Sequence, residues 1–176
     1  MTLTIPTLDT QRLILRGPRE SDFDAFAAFG ASDRAHWIGG PFSRHRSWGG
    51  FLATYGHWAL RGYSMWMAED RASGRTAGRI GMIFNDGWAE PELGWQIFDG
   101  FEGKGLAQEA ARAARDHAAR HFRLDGVISY IRAENTRSRA LVERLGATVE
   151  REGELIGIPM LVYRHPTLAQ LETEAT

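Results

Sequence analysis

The stretch "ELGWQIFDGFEGKGLAQEAARAARDHAARHF" (residues 92–122) constrains the fold more than any other part of the chain. An extended, apolar-rich segment, Glu92–Phe98, runs straight into a glycine-rich turn and then into a helical pattern from Leu106 to Phe122. Ala107, Ala110, Ala111, Ala114, Ala118 and Phe122 share one face of that helix. An alanine face lets a helix lie close to a sheet, because few side chains hold the two backbones apart. A strand that leads at once into such a helix calls for a mixed α/β architecture.

The turn carries the only lysine among 21 Lys and Arg residues, Lys104, set between Gly103 and Gly105. The first N–H groups of a helix have no partner inside it, and the macrodipole places partial positive charge there. Glycines let the backbone approach a phosphate without an intervening Cβ, and a lysine adds charge. The familiar phosphate loops do not fit. A Walker loop needs Ser or Thr after "GK", where Gly105 stands, and the dinucleotide fingerprint needs glycine at Gln108. The loop by itself is equally a shaped turn before a helix.

The remaining segments extend the same pattern. "RLILRG" (12–17) alternates like a half-buried strand, and "PRESDFDAFAAFG" follows as a helix capped by Ser21 or Asp22, with Phe23, Phe26 and Ala27 inward. Ser43 is placed to cap a second helix through about Leu60, with Trp48, Leu52, Tyr55 and Ala59 as its apolar stripe. "YSMWMAED" and "TAGRIGMIF" flank "RASGR" as a hairpin. "GVISYI" is a further strand, "NTRSRALVERLG" a short helix ending on Gly146 with Leu141 and Leu145 buried, and "TVERE" and "MLVYR" two closing strands. The expected order is β-α-α-β-β-β-α-β-α-β-β, without linker or repeat, in one domain over residues 8–166 with a C-terminal tail at 167–176.

Composition excludes several classes of chemistry. The chain has no cysteine, hence no disulfide, thiolate nucleophile or cysteine-ligated zinc. A net charge of −1 gives no support for nucleic acid or an acidic membrane as partner. The N-terminus lacks the basic start and apolar core of a signal peptide, and no apolar run approaches the roughly 20 residues needed to span a bilayer. A soluble, cytoplasmic protein, monomeric or homodimeric, is expected.

"EGKGLA" resembles the Q/R-x-x-G-x-G/A motif with which the GNAT superfamily of N-acetyltransferases binds the pyrophosphate of acetyl-CoA, with Glu102 where Gln or Arg is usual. "PELGWQIFDGFEGKGLAQEA" is similar to the strand–loop–helix core of the Rim-type branch, whose best-known members acetylate protein N-termini. "NTRSRALVERLGA" resembles that branch's N-x-x-S-x-x-(V/L)-x-x-x-L-G-(F/A) helix. "TQRLILRGPRESDFDAF" and "WIGGPFSRHRSW" resemble its opening strand and helix and the segment between its first two helices. The likeness runs from about Leu8 to Pro166.

The resemblance implies a GNAT fold: a mixed, mostly antiparallel sheet with a splayed parallel strand pair and helices on both faces. It implies acetyl-CoA as co-substrate, with no metal. It places Gly103, Lys104, Gly105, Leu106 and Ala107 on the pyrophosphate, and the backbone of Trp95 and Ile97 along the pantetheine arm. Asn135 falls where the family contacts CoA or orders the site. The reaction is attack of a primary amine, on a protein N-terminus or a small molecule, at the thioester carbonyl. Glu92 is the candidate base, its alternative being a solvated acid at a strand end. No tyrosine occurs at residues 135–146, where many relatives carry their acid. Ser138 is the replacement suggested by the Rim-type pattern, or else only part of the first helical turn; Tyr130 is the weaker candidate.

A CoA-binding protein without catalysis is the alternative within this fold, and a nucleotide-binding phosphate domain the one outside it. His117 and His121 stand one helical turn apart without the glutamate of a zinc motif, the pattern of an ordinary helix flank. Trp37 is placed at the acceptor mouth, while most other tryptophans belong in the core. Glu150, Glu152 and Glu154 form a solvated strand edge or attract a cationic amine.

Overall fold

A computed structural model describes residues 3–174. A short strand, β1 (Leu8–Asp9), pairs with β2 (Leu13–Arg16). Helices α1 (Phe23–Ala31) and α2 (Arg44–Arg61) follow, joined through a 3-10 turn at Asp33–Ile38. Strands β3 (Met65–Asp70), β4 (Thr76–Ile83) and β5 (Glu92–Ile97) form a meander that feeds α3 (Leu106–His121). Then come β6 (Ile128–Ile131), α4 (Thr136–Arg144), β7 (Thr148–Leu155), β8 (Ile158–Arg164) and a terminal helix, α5 (Leu168–Glu174). The segment after Pro166, expected as a tail, thus contains a helix, its start held by the Leu168 N–H donating to Asp125.

The eight strands form one sheet in the order β1-β2-β3-β4-β5-β6-β8-β7. Every described pairing is antiparallel except β5 with β6. The alanines of α3 explain how closely it lies on one face: Ala110, Ala111, Ala114 and Ala118 are fully buried, in one cluster with Leu13, Leu15, Ile80 and Leu93. Phe23, Phe26 and Phe29 of α1 and Phe51 of α2 cover the other face, against Met67 and Phe98. This is the GNAT fold that the sequence led us to expect.

Two expectations about the first helices are corrected. Asp22 does not cap α1 with its side chain; its carboxylate is held by Arg16 through two 2.8 Å bonds and by the Arg19 N–H. A buried guanidinium nearby outcompetes a free helix amide, because charge-assisted bonds are the stronger. Ser43 does cap α2, accepting from the Arg46 N–H at 3.2 Å. The inward stripe of α2, however, is Ser47, Phe51, Thr54 and Trp58 rather than Trp48, Leu52, Tyr55 and Ala59. The helix is turned by one residue, about 100°. That turn sets Phe51 among Phe23, Phe26 and Tyr55 and lets Trp58 Nε1 donate to the Met65 carbonyl.

Candidate active site

The parallel pair is where the sheet opens. β5 and β6 share a single register position, Glu92 opposite Ile128, and Ser129 Oγ donates to the Leu93 carbonyl at 2.7 Å just beyond it. Past that point the strands part. The Phe98 N–H bonds to Ala77, so even-numbered residues of β5 turn their backbone toward β4 and odd-numbered ones toward the gap. Arg34 Nη2 donates to the Ile97 carbonyl at 2.7 Å, while the N–H and C=O of Trp95 open onto the cleft.

A cavity of about 500 Å³ fills the gap. It touches Glu92, Trp95, Ile97, the turn at Gly103 and Gly105, Leu106, Ala107, Tyr130, Asn135 and Ser138, with Trp37 at its rim. Among the sequence candidates, Lys104 is the one that does not line it. Its Nζ donates to the Gly100 carbonyl at 2.6 Å and lies 5.5 Å from the Phe101 ring centroid, closing the turn on itself. Positive charge at the wall comes instead from Arg34, Arg132 and, on α4, Arg137 and Arg144, of which Arg34 is paired with Asp99 and Glu102.

The glycine turn is built as an anion cradle requires. Gly103 and Gly105 have φ of +71° and +77°, a region that side chains disfavour, and Gly105 is the residue just before α3. The N–H groups of Leu106, Ala107 and Gln108 have no acceptor among the described residues. They face the cavity at the positive end of a 16-residue helix. Glu102 does not disturb this field, because its carboxylate accepts from the Gly100 N–H at 2.7 Å and is paired with Arg34.

Glu92 is buried, 9% exposed, so the solvated-acid alternative is overturned. Its Oε2 accepts from the Tyr130 N–H across the gap at 3.0 Å, and burial pushes its pKa up to about 8 despite that bond. Trp95 Nε1 donates to Ser138 Oγ at 3.3 Å, which leaves the hydroxyl proton free for another partner. Asn135 caps α4 by accepting from the Ser138 N–H at 3.2 Å. Tyr130 sets its ring edge-on to Trp88, with centroids 6.0 Å apart.

Three residues of the site escaped the sequence reading. Arg34 ties the 3-10 turn to the glycine loop through Asp99, Glu102 and Ile97. Ser129 and His165 brace the closed end of the gap: Ser129 Oγ gives its proton to Leu93, so His165 Nε2, 3.0 Å away, must be the donor to that oxygen. Burial, then Arg115 and Arg164, drive the His165 pKa down to about 3, and the ring is neutral. Only Ser129, a polar residue within an apolar strand, left a trace in the sequence.

The other features lie elsewhere. The His117 and His121 rings are 4.3 Å apart, and among the described residues no group of three or more His, Cys, Asp or Glu is placed to hold a metal. Glu150 is engaged by Arg151 and Arg164, and Glu154 accepts from the Gly157 N–H. No helix of the described residues is long and apolar enough to cross a membrane.

A splayed parallel pair above a glycine turn and a free helix N-terminus is the arrangement of one class of acyl-CoA-dependent transferases. The sequence matches the acetyltransferase (GNAT) domain over residues 12–148, and the chain belongs to that family. An acetyltransferase from Agrobacterium tumefaciens str. C58 superposes with a TM-score of 0.85 at 36% identity, over 94% of this chain and 96% of that one. RimJ of Mycobacterium smegmatis, solved with a CoA disulfide, shares the fold with a TM-score of 0.73 at 21% identity, over 94% and 89% of the two chains. The uncharacterized protein YkkB of Bacillus subtilis (strain 168) is 28% identical over 104 residues, 58% of this chain, and the match spans 60% of YkkB's length.

Proposed function

We propose that this protein transfers an acetyl group from acetyl-CoA to a primary amine by direct attack on the thioester. Residues 8–166 form the catalytic domain in this reading. The observation that carries it is the open splay of β5 and β6, with Glu92 buried at its closed end and unbonded helix amides at its mouth. The N–H groups of residues 106–108 take the pyrophosphate, supported by Arg137 and Arg144. Lys104 acts by shaping the turn. The pantetheine arm pairs with the backbone of Trp95, where β6 has left it unpaired.

Ionised Glu92 accepts the proton of the incoming ammonium, directly or through water, and a pKa of about 8 suits a base that must act on an amine. The neutral nitrogen forms a bond to the thioester carbonyl carbon. The charge gathering on the oxygen is met by a backbone N–H of the splayed strand. As the C–S bond breaks, the thiolate takes a proton from the Ser138 hydroxyl, which Trp95 Nε1 orients, and the second proton shed by the nitrogen restores that hydroxyl through water. Asn135 holds Ser138 in place. The Rim-type resemblance favours a protein N-terminus as acceptor, and small amines are used by other members of the fold. The non-catalytic alternative rests on the acidic Glu102, whose charge Arg34 offsets, and on the missing tyrosine of residues 135–146, whose part Ser138 takes in this reading.

Thermal unfolding with acetyl-CoA, CoA, ATP and NAD tests the cofactor assignment. A ligand bound only by the folded state raises the melting temperature through linkage, by about 2.7 kcal/mol of added stability at a hundred-fold excess over Kd. Stabilisation by acetyl-CoA and CoA alone is expected. An equal response to ATP, or none to CoA, contradicts it.

A further inference from the structure

Glu92, Gly94 and Gln96 share one face of β5, because side chains two residues apart lie on the same side of a strand. Beside Gln96 a second cavity opens, of about 220 Å³, and it adjoins the first: Phe29, Ile38 and Gln96 line both. Its walls are the rings of Phe26, Phe29 and Phe42. Besides the exposed Arg46, whose guanidinium carbon lies 4.8 Å from the Phe42 ring centroid, two polar groups within it are not fully answered. Ser47 is 3% exposed, yet its Oγ has no hydrogen-bond partner. Arg79, on β4 opposite Gln96, meets only neutral oxygens: Nε donates to Gln96 Oε1 at 2.8 Å and Nη1 to Thr54 Oγ1 at 3.3 Å. Nη2 has no acceptor among the described residues, and the guanidinium carbon lies 4.7 Å from the centroid of the Phe26 ring.

The two buried guanidiniums among the described residues reach acids, Arg16 meeting Asp22 and Glu69, and Arg115 meeting Asp116, whereas the half-buried Arg79 reaches none. A half-buried cation without a counter-charge is unfavourable, and desolvation pulls the Arg79 pKa down to about 10, which still leaves it charged at neutral pH. A guanidinium with a free edge, an unpartnered hydroxyl and three aromatic walls suit a carboxylate on an apolar stem.

We propose that Arg79 and Ser47 form a carboxylate subsite for the acceptor, so that the amine to be acylated carries a carboxylate held in the aromatic cavity while its nitrogen reaches Glu92. This rests on the acetyltransferase reading above. The cross-strand pairs Arg79–Gln96, Gly81–Gly94 and Ile83–Glu92 set the path between the two ends. Its middle is glycine on both strands. Over Gly94 lie the flexible ends of Ile83 and Met65, with Cδ1 and Cε 3.3 and 3.6 Å from where a Cβ would stand, and then Glu92 Oε1 at 3.8 Å. An acceptor passes by moving the Met65 thioether. Four residues of strand span on the order of 13 Å. An α-amino acid is too short for that. An extended aminocarboxylate, or a peptide with an acidic side chain near its N-terminus, is long enough.

The test compares matched acceptors with acetyl-CoA: 6-aminohexanoate against 6-aminohexanamide, and Ala-Gly-Glu-amide against Ala-Gly-Gln-amide. Wild type is expected to favour the carboxylate by about ten-fold or more in kcat/KM, chiefly through KM, in at least one pair. Preference in the peptide pair alone marks an acidic peptide as the source; preference in the hexanoate pair alone marks a small molecule. Arg79→Met, which replaces an uncompensated cation by an apolar chain of similar length, is expected to fold and to bring the ratio near one. Arg79→Lys retains part of the preference, and Ser47→Ala lowers it less than Arg79→Met does. Turnover without a carboxylate preference, or with one that Arg79→Met leaves intact, overturns the proposal while the acetyltransferase reading stands. If no amine is acetylated, calorimetric binding of phenylacetate decides. Binding that phenylacetamide does not share, and that Arg79→Met weakens about ten-fold, supports the subsite apart from catalysis; binding indifferent to Arg79, or none, rejects it.

Discussion

Burial acts on two ionisable side chains at the closed end of the splay, in opposite senses. Glu92 is raised to about 8, so the folded state holds a proton that the unfolded chain releases near the ordinary carboxylate pKa. The stability it contributes is full below that value and is lost as the pH rises through about 8. His165 is lowered to about 3, so the unfolded chain gains a proton below about 6.5 that the folded state refuses until far lower. Its contribution is full above the unfolded value and is lost as the pH falls toward 3. Stability should therefore peak in mildly acidic solution. Urea unfolding across pH 4 to 9 is expected to show a shallower alkaline decline in Glu92→Gln and a shallower acid decline in His165→Gln. Unchanged slopes in both variants contradict these burial effects. The candidate Glu92 was legible from its place at the start of the cofactor strand. Its burial was not, since a glutamate after proline has the look of a solvated strand end until Tyr130 closes over it from another strand.

At the scale of elements, α3 and its turn were legible because their chemistry is local. An alanine stripe and two glycines suffice, and both glycines take the positive φ the turn requires. Gly105→Ala forces a left-handed conformation on a side chain, which costs roughly 1–2 kcal/mol, and sets its Cβ 3.5 Å from Arg12 Nη2. The variant is expected to fold and to bind CoA more weakly in calorimetry; unaltered affinity would separate the turn from the phosphate. Helix α2 was less legible. "RHRSWGGFLATYGHWALR" carries apolar residues on two adjoining stripes, and glycines at 49, 50 and 56 blur the contrast between them. Only the α1 aromatics, distant in sequence, decide which stripe faces inward. Phe51→Ala should destabilise by about 3–5 kcal/mol, the scale for a buried phenylalanine, and Leu52→Ala by less than about 1 kcal/mol. Equal losses in denaturant titrations would return the helix to the register expected from periodicity.

For the molecule as a whole, the sheet order sets β5 beside a parallel partner that leaves it after one register position, and the cavity follows from that departure. The strand and helix order conveyed the class of fold. The ties that complete the site cross long stretches of sequence, Arg34 to Glu102 and Ser129 to His165, and no short motif announces them. Two faces of β5 divide the work in this account. Trp95 and Ser138 serve the thioester on one side, while Glu92 meets the amine on the other and the Arg79 cavity extends that face. The absence of cysteine makes the decisive assay simple, because every thiol released belongs to CoA. The measurement is thiol release from acetyl-CoA in the presence of amines, with mass spectrometry of the products, for wild type and Glu92→Gln between pH 6 and 9. The account predicts amine-dependent release that rises with pH toward about 8, and a turnover at least about ten-fold lower in Glu92→Gln with acetyl-CoA affinity retained. Tight CoA binding with no release for any amine, or full turnover in Glu92→Gln, would contradict it.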